Sequence, residues 1–226
     1  MKFENHNFDV LDSTQNKIKE YTTTDSIFPL VVSKKMTAGQ GQREKKWGTA
    51  KGNLYFSFLL PDSFFIRESD LCFICGVAMA KAINLPNLKL KWANDIFVND
   101  SKTGGILVEK HNQNLIAGIG INVVSSPNVD SPEYPISCLF NNNFKGSAES
   151  LLDKFTQTFL EIFKIYRKNR SEIFNLWKKQ ALWIGESVIL KTDSSKISGV
   201  FDGIDENGRL ILDKKTYFSG SMRKKS

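Results

Sequence analysis

Between Lys34 and Lys51 the chain sets six cations (Lys34, Lys35, Arg43, Lys45, Lys46 and Lys51) against a single acid, Glu44. This stretch holds five of the seven net positive charges of the 226-residue chain. Within it, Gly39-Gln40-Gly41-Gln42-Arg43 places two glycines just before the densest cations. Glycine reaches φ > 0 and lets the backbone come close to a ligand, so the pattern fits a loop wrapping a small anion. A nucleic-acid face is the other reading of a basic cluster. A DNA-reading helix would show amphipathic spacing here, and residues 34–51 have none.

No nucleophile set accompanies the loop. The two histidines, His6 and His111, sit in polar, turn-like settings, so neither a Ser/His/Asp nor a Cys/His arrangement can be assembled. Cys72 and Cys75 form a C-x-x-C, but no second cysteine pair or histidine stands at zinc-ligand spacing. That pair lies in the apolar stretch Leu71 to Ala80, which predicts core packing. There is no P-loop and no dinucleotide fingerprint. Gly118-Ile119-Gly120-Ile121-Asn122 has two strand glycines, which mark a bulge, close packing or a ligand lying on the backbone.

Positioning these residues takes a chain with a sizeable core. At 41% hydrophobic and 24% charged it is globular rather than disordered. Asp12-Ser13-Thr14 caps a short helix, Leu30 to Lys34 is a strand feeding the glycine loop, and Asn53 to Leu60 is a buried strand. Ser69 to Ile83 is an apolar helix. Leu90 to Val98, Thr103 to Glu109 and Leu115 to Val123 read as three strands. Turns this short make them antiparallel neighbours, since a parallel crossover takes a dozen residues or more. Residues 125–146 form a surface loop, and Leu151, Leu152, Phe155, Phe159, Ile162, Phe163 and Tyr166 repeat at helical spacing as core. Ser171 to Leu182 is a second helix. From Glu186 short β segments follow at Val188 to Leu190, Ile197 to Phe201, Leu210 to Leu212 and Thr216 to Ser219, with a hairpin turn at Glu206-Asn207-Gly208. The reading is an α+β fold, a mixed and largely antiparallel sheet flanked by helices over 1–183, with a small β-barrel over 184–226. Three cysteines exclude a disulfide scaffold, the N-terminus lacks an apolar signal core, and no apolar run nears the roughly 20 residues of a membrane helix. A cytoplasmic protein with no membrane partner is predicted.

Six segments, in this order and spacing, resemble the biotin protein ligase family. They are Asp12-Ser13-Thr14-Gln15-Asn16, Gly39-Gln40-Gly41-Gln42-Arg43 with Lys46-Trp47, Gly52-Asn53-Leu54-Tyr55, Lys91-Trp92-Ala93-Asn94-Asp95-Ile96, Lys102-Thr103-Gly104-Gly105-Ile106-Leu107-Val108-Glu109 and Gly118-Ile119-Gly120-Ile121-Asn122. Gly199 to Asp205 with Gly208 and Leu210 resembles that family's C-terminal domain. The resemblance implies a class II synthetase-like catalytic fold, an SH3-like barrel and a two-step reaction. Biotin's carboxylate attacks the α-phosphate of ATP, with Mg²⁺, and a lysine of a biotin carboxyl carrier protein, for example that of acetyl-CoA carboxylase, then takes the biotinyl group and releases AMP.

By the same resemblance Ser13 and Thr14 hydrogen-bond biotin's ureido ring. Gly39 and Gln42 cover it, Trp47 packs beside it, and Gly105, Gly118 and Gly120 let backbone amides approach. Lys102 touches both the carboxylate and the α-phosphate and is the first catalytic candidate, with Arg43 the second. Gln40, Arg43, Lys45, Lys46, Asn94, Asp95 and Asn122 fall to the nucleotide; no ligand set is assigned to the metal. Lipoate or octanoate transfer, and a non-catalytic biotin- or carrier-binding module, are the alternatives. The family's loop commonly reads Gly-Arg-Gly-Arg, whereas Gln40 and Gln42 stand at both arginine positions here and Met36 replaces a common glutamine. Glutamine cannot neutralise phosphate or grip it in a bidentate fork, which predicts weaker ATP binding or weaker retention of the adenylate. The 11 residues before Asp12 leave no room for the helix-turn-helix domain some members carry, so no sequence-specific DNA binding is expected. A homodimer is left open.

Overall fold

Seven strands build the large sheet of the computed structural model, which describes residues 1–42, 45–129 and 132–225. They are β1 (Lys2–Leu11), β2 (Ile27–Met36), β3 (Leu54–Leu60), β4 (Leu88–Lys91), β5 (Asp95–Val98), β6 (Ser101–His111) and β7 (Asn114–Ile121), ordered β1-β2-β3-β7-β6-β5-β4 in space. Only β1 and β2 pair in parallel; the short turns make β4 through β7 consecutive antiparallel neighbours, as expected. One expectation fails. The single strand read over Leu90 to Val98 is a hairpin, with Lys91 opposite Asp95 and Trp92-Ala93-Asn94 turning the chain without glycine or proline. The polar segment β1, which holds His6, also carries no strand signal, because no residue of it is fully buried at the sheet's edge. His6 is therefore not in a turn; its ring lies 4.3 Å from that of Tyr21.

Four helices accompany the sheet among the described residues: α1 (Thr14–Lys17), α2 (Glu68–Ile83), α3 (Ala148–Lys168) and α4 (Arg170–Lys179). Helix α2 is apolar on all sides, and thirteen of its sixteen residues are buried, Cys72 and Cys75 included. Helix α3 is amphipathic. It starts at a capping box in which the Ser147 hydroxyl accepts from the Ser150 amide at 3.2 Å and Ser150 Oγ accepts from the Ser147 amide at 2.9 Å. Its apolar stripe delivers Phe155 and Phe159 onto Phe56 and Phe58 of β3, each pair with ring centroids 5.0 Å apart. Edge-to-face contacts of this kind add about 1 kcal/mol each to the burial itself.

Pleating sorts the sheet into two faces. Leu54, Phe56, Phe58 and Leu60 of β3 join the helix-covered core, so Tyr55, Ser57 and Leu59 face the other way. Register carries that second face across the sheet, from Ser57 to Gly118, from Tyr55 to Gly120 and Gly105, and on to Asp95 and Lys91. Three glycines in the middle of one sheet face leave a trough where side chains would stand.

The C-terminal segment forms a five-stranded antiparallel sheet of β8 (Ser187–Lys191), β9 (Lys196–Ile204), β10 (Leu210–Leu212), β11 (Lys215–Tyr217) and β12 (Ser221–Lys224), ordered β11-β10-β9-β8-β12. The 206–208 turn joins β9 to β10 as read from sequence; β12 was not foreseen. Val188, Leu190, Phe201, Ile204, Leu210, Leu212 and Met222 belong to the same continuous hydrophobic cluster as α2 and α3. Gly208, with φ +74, packs against the Phe73 ring, and its carbonyl accepts from Trp92 Nε1 at 2.9 Å.

Candidate active site

The trough is roofed by the glycine loop on one side and by the 125–136 loop on the other, enclosing a cavity of about 460 Å³. Of the residues singled out from sequence, Ser13, Thr14, Gln40, Gln42, Lys45, Lys46, Trp47, Asn94, Asp95, Lys102, Gly105, Gly118, Gly120 and Asn122 line it. Gly39 does not; it packs against the backbone of Trp47, whose amide donates to the Gly39 carbonyl at 2.9 Å. Arg43 lies outside the described residues.

One end of the cavity is neutral. Ser13 caps α1, its hydroxyl accepting from the Gln15 amide at 3.2 Å. Ser57 Oγ donates to Gln15 Oε1 at 2.9 Å, so the 2.8 Å contact between Thr14 and Ser57 has Thr14 as donor. Gln15 in turn donates through Nε2 to Glu109 at 3.1 Å. This relay spends the Thr14 proton and leaves its oxygen as an acceptor for a ligand N–H. Gln15 and Ser57 were not singled out from sequence, although Gln15 directly follows Thr14. Gly118 faces the Gln15 amide so closely that a Cβ would collide with it, and a Cβ on Gly120 would lie 2.7 Å from the Trp47 ring. These glycines therefore first make room for Gln15 and Trp47.

The middle is a buried charge triad. Asp95 accepts from Lys91 at 3.1 Å and pairs with Lys102 at 2.5 Å, one ammonium on each carboxylate oxygen. Lys91 is 3% exposed and Asp95 9%, whereas Lys102, at 26%, reaches into the cavity, 5.5 Å from the Trp47 ring centroid. Burial alone would raise the Asp95 carboxyl, but the two ammoniums outweigh it and hold the group below the ordinary range. Burial would likewise lower Lys91, and Asp95 with Tyr134 reverses that direction. Lys91, quoted within its motif but given no role there, thus supplies the permanent counter-charge.

The far end is cationic and amide-rich. Lys45 and Lys46 enter from the glycine loop, while Pro127, Val129, Tyr134 and, unforeseen, Gly220 and Ser221 of the C-terminal sheet complete the wall. Asn94 is pinned, donating to the Ile106 carbonyl at 2.8 Å. Asn122 donates to the Ser137 carbonyl at 3.1 Å, and its buried Oδ1 has no partner. Asn53 accepts from the amides of Val123, Val124 and Ser125 at 2.9 to 3.2 Å and so fixes where the 125–136 loop departs.

Neutral hydrogen-bonders, a central lysine and a cationic end suit the joining of two anions held in line. A protein nucleophile is not offered by the neighbouring thiol: burial, with Asp95 nearby, pushes Cys72 up to about 12. No group of three or more His, Cys, Asp or Glu able to hold a metal occurs among the described residues.

Residues 8–125 match the biotin/lipoate A/B protein ligase family, and residues 183–216 match the biotin protein ligase C-terminal domain. The chain is 28% identical over 198 residues to the biotin--[acetyl-CoA-carboxylase] ligase of Paracoccus denitrificans, covering 80% of this chain and 82% of that one. It is 31% identical over 220 residues to the bifunctional ligase/repressor BirA of Bacillus subtilis, covering 91% and 68%. Its fold superposes on the biotin protein ligase of Aquifex aeolicus in complex with biotin and ATP, with a TM-score of 0.88 and 27% identity over 98% of this chain and 99% of the other.

Proposed function

The chain belongs to the biotin/lipoate A/B protein ligase family, and on that premise we propose that it uses ATP to activate biotin and transfers it to a lysine of a biotin carboxyl carrier protein, that of acetyl-CoA carboxylase. The observation that carries this reading is Lys102, placed between a neutral hydrogen-bonding end and a cationic end, with Asp95 shared between it and Lys91.

In the first step a carboxylate oxygen of biotin bonds to the α-phosphorus, the bond to the β-phosphate oxygen breaks, and pyrophosphate leaves. Thr14 presents its acceptor oxygen to the ureido N–H, orienting the acid. Lys102 leaves Asp95 to bridge carboxylate and α-phosphate, where negative charge concentrates in the transition state. Lys91 stays behind, so Asp95 is never buried without a counter-charge. Lys45 and Lys46 face the triphosphate, and Arg43, which lies outside the described residues, keeps the nucleotide role the family resemblance implies. Mg²⁺, carried in on the nucleotide, would neutralise phosphate charge, and the unpartnered Asn122 Oδ1 with the Asp95 carboxylate are oxygens of the hard type it takes. In the second step the carrier's lysine nitrogen bonds to the acyl carbon, the bond to AMP breaks, and the amine loses a proton.

No helix among the described residues is long and apolar enough to cross a membrane. The proposed reaction, which draws on ATP and a carrier protein, is assigned to the cytoplasm. The match over 183–216 favours biotin over lipoate. The test supplies ATP with either acid and a purified carrier domain, following pyrophosphate release and carrier labelling. Biotin alone should support both signals, and Lys102→Ala should abolish both; labelling by lipoate in place of biotin would overturn the assignment.

A further inference from the structure

Glu133 places a carboxylate in the wall of the cavity end that the reading above gives to triphosphate, where an anion is out of place. Each of its oxygens holds a different cation. Oε2 accepts from Lys45 Nζ of the glycine loop at 3.0 Å, and Oε1 accepts from Arg223 Nη2 of β12 at 2.5 Å. The neighbouring Tyr134 hydroxyl donates to the Met222 carbonyl at 2.7 Å, and Ser221 Oγ lies 3.3 Å away. The Tyr134 ring lies 4.8 Å from Lys91 Nζ and 5.9 Å from the Arg223 guanidinium. Two adjacent side chains of the 125–136 loop thus fasten it to the C-terminal sheet, and one of them also holds a loop cation. Burial would raise the Glu133 carboxyl, but the bonds from Arg223 and Lys45 outweigh it, so the group is held below the ordinary glutamate range.

Lys45 is 62% exposed and Arg223 47%, and surface pairs of this kind contribute little to stability. Their value lies in what happens when triphosphate arrives. Lys45 then has a more highly charged partner and leaves Glu133, whose carboxylate would face the phosphates uncompensated unless the second cation stayed. We propose that Glu133 is a positioning residue for the nucleotide step: it parks Lys45 beside the cavity, and Arg223 of the C-terminal sheet cancels its charge once Lys45 has passed to the triphosphate. The inference rests on the nucleotide reading of this end and assigns the C-terminal sheet a direct electrostatic duty there.

Pyrophosphate release by the full chain tests it, with ATP and biotin varied separately. Arg223→Ala should raise the KM for ATP about tenfold, the effect of one unscreened like charge at the phosphate end, and leave the KM for biotin unchanged. Arg223→Lys should recover most of the loss. Glu133→Gln alone should lower the KM for ATP, since Lys45 no longer has a carboxylate to leave. In the double variant Glu133→Gln with Arg223→Ala the KM for ATP should return to the wild-type range, even if its melting temperature stays as low as that of Arg223→Ala. A structural role for Arg223 would make the two changes add, and a double variant as poor as Arg223→Ala overturns the proposal. A raised KM for ATP in Glu133→Gln overturns it too, by making Glu133 an anchor that presents Lys45. If the unaltered chain releases no pyrophosphate with biotin or lipoate, the nucleotide reading itself falls and takes this inference with it.

Discussion

Asp95 is nearly inaccessible to water and lies between two ammoniums, one of which, Lys102, leaves it in the mechanism proposed above. Replacing it by asparagine would strand Lys91, buried and charged, and should destabilise the fold by about 3–5 kcal/mol in urea denaturation. Its folded carboxyl is depressed below the ordinary 3.8, so its contribution is complete above that value and is lost as pH falls through the folded value. Lys91 is raised above 10.5, so its contribution is complete below that value and is lost as pH rises through the folded value. The stability gap between the wild type and Asp95→Asn should therefore be flat from about pH 5 to 9 and narrow below pH 4. A gap that persists unchanged at pH 3 would assign the loss to something other than the ion pair. Gln42 borders the cavity with no charge of its own. Arginine there should lower the KM for ATP several-fold and slow escape of the adenylate, measured by trapping AMP-linked biotin in the absence of carrier. An unchanged KM would mean that the loop lysines already compensate.

At the scale of elements, the trough exists because β6 and β7 put glycines on the sheet face opposite the one that α2 and α3 cover, with α1 closing one end of it. Gly120→Ala sets a methyl group 2.7 Å from the Trp47 ring, too close for either to stay. Biotin affinity should fall about tenfold or more, and Trp47 should become accessible to an aqueous fluorescence quencher. Unaltered quenching would show that the loop shifts as a unit and keeps the indole buried. The glycines were readable from residue type, the motif lysines from the family resemblance, α2 from its apolar run and α3 from its apolar spacing. β1 and the β4–β5 hairpin were not. β1 is an edge strand whose apolar residues Phe3, Phe8, Val10 and Leu11 do not alternate regularly, and the 92–94 turn lacks the residues that usually mark one.

Over the whole molecule the two sheets share one hydrophobic cluster, and the 206–208 turn plugs into α2. Gly208→Ala would strain a φ of +74 and drive a methyl group into the Phe73 ring. A loss of about 2–4 kcal/mol is expected, seen as a single calorimetric transition moving down as a whole. A new low-temperature transition for the C-terminal sheet alone would mean that the two sheets unfold separately. Residue type and spacing along the chain were enough to predict a loop suited to a small anion, a strand with two glycines and the absence of a nucleophile set, since each depends on local chemistry, whereas Lys102 stood out only through the family resemblance. Which lysine is buried and which reaches into the cavity, the Thr14–Ser57–Gln15–Glu109 relay, the arrival of Glu133 and Ser221 at one cavity and the bond from Arg223 to Glu133 were decided by the tertiary structure. They depend on pleat parity and on contacts between segments up to about 90 residues apart or more, which no local pattern encodes.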